Sequence, residues 1–471
     1  MAAQMEVVLG VIILGFLFSV RGIEGRRVGV VESFEYTGIS CRAHTVSIKD
    51  FGGVGDGKTS NTEAFRNAVV HLSRFSYTGG GLLYVPAGRW LTGNFNLTSH
   101  FTLYLARDAV ILASQDINDW PLAKPLPSYG HGREAPGGRY TSFIFGTNLT
   151  DVILTGEGGT IDGQGEAWWR KFHGGKLKYT RPHLVEIMHS TSFQISNLTL
   201  LNSPFWTLHP VYSSNVIIQA LRILAPVKSP NTDGIDPDSC TNVRIEDVHI
   251  VSGDDCIAVK SGWDEYGIQY GMPTKHLVIR RLTCISPYSA MIALGSEMSG
   301  GIEDVRAEDL TAINTESGIR IKTALGRGGY VKDIYVRGMK MHTMKWAFWM
   351  DGNYGSHPDG HYNPKARPVV QGINYRDIVA ENVTMAAQFK GISGDPFTGI
   401  CISNATIGMN PKSKEEPWTC SDVQGITSRV TPRPCNKLLH ANVVTCAFPK
   451  ESLPIDEVKL KKCVYKVKNN P

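Results

Sequence analysis

At 471 residues the chain is long enough for two or three ordinary domains, yet no Pro/Ser-rich or single-charge linker divides it after the N-terminus. With 49 glycines and only 19% charged residues, its composition favours one long, glycine-punctuated unit. A net charge of +5 is mild, and without an aromatic-interleaved basic patch it argues against nucleic acid as a partner.

Residues 7–20, VVLGVIILGFLFSV, form an apolar run too short to cross a ~30 Å hydrocarbon core and suited to the middle of a signal peptide spanning residues 1–25. The preceding MAAQME lacks the usual basic residue, which keeps a signal anchor as the lesser alternative. Cleavage near Gly22 to Gly25 would start the mature chain around Arg26 and leave no membrane segment. Five Asn-x-Thr sequons follow, at Asn96, Asn148, Asn197, Asn382 and Asn404. Together with the leader they favour secretion, to the extracellular space or cell wall. Nine cysteines are an odd count, so at least one thiol is free or pairs between chains. Cys420, Cys435, Cys446 and Cys463 crowd the end, where they could staple short loops, and Cys240 with Cys256 is a further candidate bridge. No Cys/His spacing suggests a metal.

Thr45 to Phe51 alternates as a strand and runs into a glycine-rich turn. Ser60 and Glu63 then read as a capping box for a helix whose Phe65, Ala68, Val69 and Leu72 recur at helical spacing. Beyond Gly79 the helical period gives way to short β runs broken by Gly, Pro, Asn and Asp. From residue 192 a nine-residue pattern recurs, in which an apolar residue near its start is followed by others two, five and seven places on. The first apolar positions are Phe193, Val216, Val243, Leu277, Val305, Ile334, Ile378 and Ile400, and their separations run from 22 to 44 residues. That is the mark of an all-β, single-stranded right-handed parallel β-helix with loop insertions, its open end covered by the amphipathic helix. The expected layout is one domain over 26–471, with an N-terminal cap at about 45–80, coils at about 81–410 and a Cys-containing tail at 411–471.

A second short strand lies between repeats, at Gly234 to Asp236, Cys256 to Lys260, Ile292 to Leu294 and Ile319 to Lys322. With Ile235, Ile257, Leu294 and Ile321 pointing into the bore, alternation turns Asp236, Ala258, Lys260, Arg320 and Lys322 outward. Laying Ile235 on Ile257 places Asp233 on Asp255, an offset of 22 residues, one coil of such a solenoid. Asp233, Asp254 and Asp255 would then meet on one face, provided that they sit at the bend before the strand, where alternation lapses. Carboxyls a few ångströms apart raise one another's pKa, so one can stay an acid while another stays a base. Glycoside hydrolysis needs that division of labour. His189, His209, His249 and His276 lie in or beside β runs and read as structural. Trp168, Trp169 and Trp206 fit either sugar stacking or core filling.

From about Val46 to Asn410 the chain resembles family 28 of the glycoside hydrolases, the polygalacturonases and their relatives on the pectin-lyase-like β-helix. The motifs that carry the resemblance are KDFGGVGDGKTSNTEAF, GTIDGQGEAWW, NTDGID, SGDDCIAVKSG, GSEMSGG, GIRIKT and DGNY. The resemblance implies Asp254 as general acid and Asp233 with Asp255 as holders of the attacking water, with inversion at the anomeric carbon. It implies a uronate clamp from Arg320 and Lys322, a fork beside a point charge. Asn231, Asp236, Lys260 and Tyr354 would complete the substrate contacts. No metal or organic cofactor is implied, the substrate would be pectin or homogalacturonan, and the protein would work as a monomer.

One departure stands out: where the family usually has Gly-His-Gly, this chain has Ser289, Ala290 and Met291. Losing a histidine that tunes the carboxylates would shift the acid's pKa, lower activity, or mark another pectic substrate such as rhamnogalacturonan. SEMSGG is similar to the exo-acting, broader-specificity branch. Galacturonan hydrolysis therefore stands against three alternatives: rhamnogalacturonan hydrolysis, a Ca²⁺-dependent lyase with an arginine base, and a non-catalytic pectin-binding wall protein.

Overall fold

The computed structural model describes residues 42–460. The apolar run at 7–20, its cleavage region and Cys463 lie outside the described residues. Among those described, no helix is long and apolar enough to cross a membrane.

Successive coils stack as a parallel β-helix, and the repeat positions become an inward ladder. Phe193 pairs with Val216, Val216 with Val243, Val243 with Leu277, Leu277 with Val305, and Val305 with Ile334. The next two rungs are Ile373 and Ile400, and every member of this ladder is at most 1% exposed. Burying one such side chain stabilises the fold by about 1.5–3 kcal/mol, so the stack of like residues outweighs any single turn. The expected seventh member, Ile378, is displaced: it pairs with Met339, five residues along the same strand. Apolar residues at 373, 375, 378, 380, 383 and 385 satisfy the pattern in two frames, and only coil-to-coil pairing selects between them.

The coil corners explain the polar punctuation. Asn197, Asp247, Asp309, Asp377 and Asn404 take φ between 52° and 58° at one corner of the coils, where Ala220, Arg281 and Gly338 hold the same left-handed turn on the coils between them. Asn and Asp tolerate this left-handed conformation because their short side chains bond locally.

Helix α1 (Thr62–Ser73) buries Phe65, Ala68, Val69 and Leu72 over the first coil, with the Phe65 ring stacked on Phe95 at 4.7 Å. Its cap differs from the expected Ser60/Glu63 box. Asn61 occupies the N-cap position without capping, its carboxamide instead joining the backbones of Val54 and Leu91. Tying the glycine-rich turn to the first coil takes precedence there over closing the helix end.

Strand pairing continues past residue 410, through Trp418–Ser421, Val423–Thr431 and Leu438–His440. Disulfides Cys401–Cys446 and Cys420–Cys435 hold this end, and the following segment runs back along the coils until Ile455 O and Val458 O accept hydrogen bonds from Arg244. The third disulfide corrects the expected Cys240–Cys256 bridge. Cys256 pairs with Cys284, 28 residues on and one coil away, whereas Cys240, less than a coil upstream, keeps a buried thiol facing Pro210 O.

Candidate active site

Two glycines let the acids converge. A Cβ on Gly234 would lie 2.5 Å from Cys256 O, and one on Gly253 would lie 2.0 Å from Ser229 O, so only glycine permits the coils to approach at these points. Ile235 then pairs with Ile257, and Gly234 N donates to Asp255 O at 3.0 Å. Asp254 and Asp255 fall in the bend just before the strand Ile257–Val259, as the alternation argument requires. Carboxyl oxygens of Asp233, Asp254 and Asp255 lie within 4.8 Å of one another.

Each acid has a distinct environment. Asp255 is fully buried: Lys322 Nζ donates to its Oδ2 at 2.7 Å, while Ser289 Oγ and Ala290 N donate to its Oδ1. Burial opposes its charge, but Lys322 and Arg320 prevail and hold the carboxyl well below the ordinary carboxylate range. Asp254 is half-buried, with Asn231 Nδ2 at 3.3 Å from Oδ2 and Ser289 Oγ at 2.9 Å from Oδ1. Burial and the Asp255 charge push its pKa up. Asp233 is raised furthest, by burial and then by Asp254 and Asp236, and its nearest cation is Lys260 at 3.9 Å. The cluster therefore keeps a proton on the Asp233/Asp254 side and a charge on Asp255. Both oxygens of Asp255 already accept hydrogen bonds, so the donor set suits proton transfer better than holding a cation.

A cavity of about 380 Å³ opens over Asp233 and Asp254. Asn231, Lys260, Lys322 and Tyr354 line it, as the sequence predicts. Two expected substrate contacts lie elsewhere. Asp236 does point out of the bore, but it is fully buried beneath Lys260, 3.5 Å away, and its carboxyl is raised to about 7 mainly by burial. Arg320 is turned aside: Nη2 bonds Glu316 at 2.6 Å, Nε bonds Ser317, and its guanidinium lies 5.1 Å from the Trp349 ring. Alternation gives the direction of a side chain but not what the next coil lays over it.

The cavity wall also holds groups that no local motif announces. Arg133, from the loop before the strand Arg139–Tyr140, bonds Glu297 at 2.7 Å and lies over Trp263. Glu134 from the same loop pairs with buried Arg181, which also donates to Asn231 Oδ1 at 2.8 Å and so orients a neighbour of the acid. Phe172, from helix α2 (Glu166–His173), and Phe205 and Trp206 close the wall, with Lys260 Nζ 4.2 Å from the Trp206 ring. Trp168 and Trp169 are buried away from the cavity. Glu297 stands within the GSEMSGG motif, but its partner Arg133 is 164 residues upstream, a separation that carries no sequence signal. The segment between the strands Tyr330–Asp351 and Val369–Lys390 contributes Tyr354 to the wall. That segment is pinned by Trp263 Nε1 and Arg327 Nη2, both donating to Ser356 O.

A second group with the spacing of metal ligands, His183, Glu186 and His209, lies on the neighbouring coils. Arg139 binds Glu186 through both carboxyl oxygens, and His209 joins Glu186 to Asp238, so this group is closed on itself. His209 is structural, in agreement with the sequence reading.

Comparison with known proteins agrees with this fold. The family model for glycosyl hydrolases family 28 matches residues 132–431. A Vitis vinifera protein named probable polygalacturonase is 69% identical over 469 residues, covering 99% of this chain and 96% of its own. Exopolygalacturonase of Zea mays is 24% identical, covering 91% of this chain and 96% of that one. Among solved structures, the hyperthermoactive exopolygalacturonase of Thermotoga maritima superposes with a TM-score of 0.71 at 27% identity, covering 83% of this chain and 92% of that one.

Proposed function

The chain belongs to family 28 of the glycosyl hydrolases, and on that premise we propose that it is a polygalacturonase that cleaves α-1,4-galacturonosyl linkages through Asp233, Asp254 and Asp255. The observation that carries the reading is the division of the three carboxyls: one buried and held ionised by Lys322, two kept toward the protonated form, with oxygens of all three within 4.8 Å of one another. Asp254, at the cavity floor with Asn231 beside it, donates its proton to the glycosidic oxygen. Asp233 and Asp255 together hold the attacking water, and the single negative charge of that pair, carried by Asp255, takes up its proton. Lys260, Lys322 and Arg133 supply the positive wall that a uronate carboxylate needs.

Inversion is the stereochemical outcome proposed. The closest oxygens, within 4.8 Å, are nearer than the ~6.5–9.5 Å common between inverting carboxyls, so spacing alone would suggest retention. Retention needs a bare carboxylate that can reach the anomeric carbon, however. Asp255 has both oxygens engaged beneath the surface, and Asp233 is held toward its protonated form. A pair that shares one water meets those constraints better than either acid as a nucleophile.

Exo action is the finer reading. The Arg133–Glu134 loop, Phe172 and Phe205 bound one side of the cavity, which supports recognition of a chain end rather than passage of a long polymer. Secretion is supported by three disulfides among the described residues and by exposure of all five sequon asparagines. Proton NMR during digestion of polygalacturonate tests both chemical points. Release of galacturonate monomer, first as the β-anomer, is expected; first appearance of the α-anomer would overturn inversion, and a ladder of oligomers would overturn exo action.

A further inference from the structure

Ser289 stands where the family's Gly-His-Gly segment begins, and among the described residues it is the only side chain that touches both adjacent acids through one atom. Its Oγ is 2.9 Å from Asp254 Oδ1 and within hydrogen-bonding distance of Asp255 Oδ1. It is 4% exposed, so no water competes freely for these contacts. The turn that presents it is held at several points. Ser289 N donates to Ser286 O at 3.2 Å, Ser286 Oγ donates to the backbone oxygen of Asp254 at 2.7 Å, and Glu316 N reaches both turn carbonyls. Cys284, just before this turn, is disulfide-bonded to Cys256, just after the acids, so one covalent link ties the two segments together. Arg320 Nη1 approaches the same hydroxyl at 3.5 Å.

We propose that Ser289 is a positioning residue that does here the work of the missing histidine: its single rotatable hydroxyl is shared between Asp254 and Asp255 and keeps them in unlike roles. A hydroxyl has one proton to give and two lone pairs to receive. Donated to Asp255, it adds to the charge-stabilising set of Lys322 Nζ and Ala290 N, and a lone pair is left facing Asp254. Asp254 then makes that contact best as the protonated partner, which is the form a general acid needs. When Asp254 has given up its proton, rotation of the same hydroxyl supplies a donor to the new carboxylate. Ser289 thus acts through the acids and needs no contact with substrate. Ala290 has no such role: its side chain is a buried methyl, and only its backbone N–H meets Asp255.

This inference rests on the reading of Asp254 and Asp255 as acid and base, and the test separates the two. The pH dependence of kcat and KM is measured on polygalacturonate for the native protein, Ser289→Ala, Ser289→Thr and Ser286→Ala, with thermal unfolding as a check of the fold. Removing the hydroxyl takes a donor from ionised Asp255 and an acceptor from protonated Asp254, so in Ser289→Ala the acidic limb moves up and the alkaline limb moves down, each by about one unit, and the profile narrows. With that shift kcat falls about tenfold or more while KM holds. Ser289→Thr keeps the hydroxyl and restores the native profile. Ser286→Ala disturbs the same turn without touching a carboxyl oxygen and leaves the profile in place. An unshifted profile in Ser289→Ala, or the same shift in Ser286→Ala, overturns the proposal. Failure of the native protein to cleave the polymer at all would instead bring down the acid–base reading itself.

Discussion

Two clusters of charge sit on neighbouring coils of this solenoid, and they differ in balance and in access. On one side Glu186 is met by Arg139 through both oxygens, by Ser142 at 2.9 Å and by His209 at 3.1 Å, and His209 passes on to Asp238. On the other, Asp233, Asp254, Asp255 and Asp236 share Lys260 and Lys322. Stacking alone places them together: Glu186 pairs with His209, and Leu208 with Ile235 on the next coil. By spacing, either group could be taken for a metal site. Compensation tells them apart. Where every charge has its opposite, the cluster is a fixed part of the fold; where acid is in excess and a cavity opens above it, protons must be held, and held protons can be transferred.

The first way to break that comparison is to unbalance the closed cluster. Glu186→Ala leaves Arg139 and His209 buried without their carboxylate, and a loss of about 3–5 kcal/mol in stability is expected. Thermal unfolding checks the loss, while kcat per folded molecule stays within a few-fold of native. A variant that unfolds normally but is inactive would mean that the closed cluster belongs to the chemistry.

A smaller effect sharpens the contrast through pH. Although burial lowers it, hydrogen bonds to Asp238 and Glu186 push the His209 imidazole up from 6.5 to about 9. Its stabilising share is therefore present below pH 6.5 and is lost as pH rises through 9. Asp236 is raised from 3.8 to about 7, chiefly by burial, so ionising it costs stability as pH climbs from 4 to 7. Both signs agree, but buried His183, lowered to about 4 chiefly by burial, works the other way below pH 6.5, so the unfolding temperature is expected to decline between pH 6.5 and pH 9. In Asp236→Asn the cost of ionising Asp236 disappears and the unfolding temperature at pH 7 rises above native, while the costs from Asp233 and Asp254 and the His209 part at higher pH survive. A native unfolding temperature that rises across this range would contradict the assignment.

How legible these clusters are in the sequence follows from the range of the forces that build them. The β-helix shows itself because each coil repeats one apolar pattern, and the offset of Ile235 on Ile257 is a local count along the chain. Asp233, Asp254 and Asp255 come with it. Ile378 falls outside the ladder because its segment fits the pattern in two frames, and pairing between coils decides. Arg320 and Asp236 have the right direction but the wrong surroundings, since Glu316, Ser317 and Lys260 cover or divert them. Arg133 joins the wall only because its loop folds back across many coils. Ser289 is visible as a gap in the family motif, yet only coordinates show a hydroxyl between two carboxyls.

The open cluster is the engine of cleavage, and Asp254→Asn addresses this most directly. Reducing-sugar release from polygalacturonate is measured for the native protein and the variant, with binding to the same polymer measured alongside. The amide cannot supply the acid's proton, so release is expected to fall by about 10²–10⁴-fold while binding persists. Release by the variant at the native rate, or binding without release by both proteins, would contradict it.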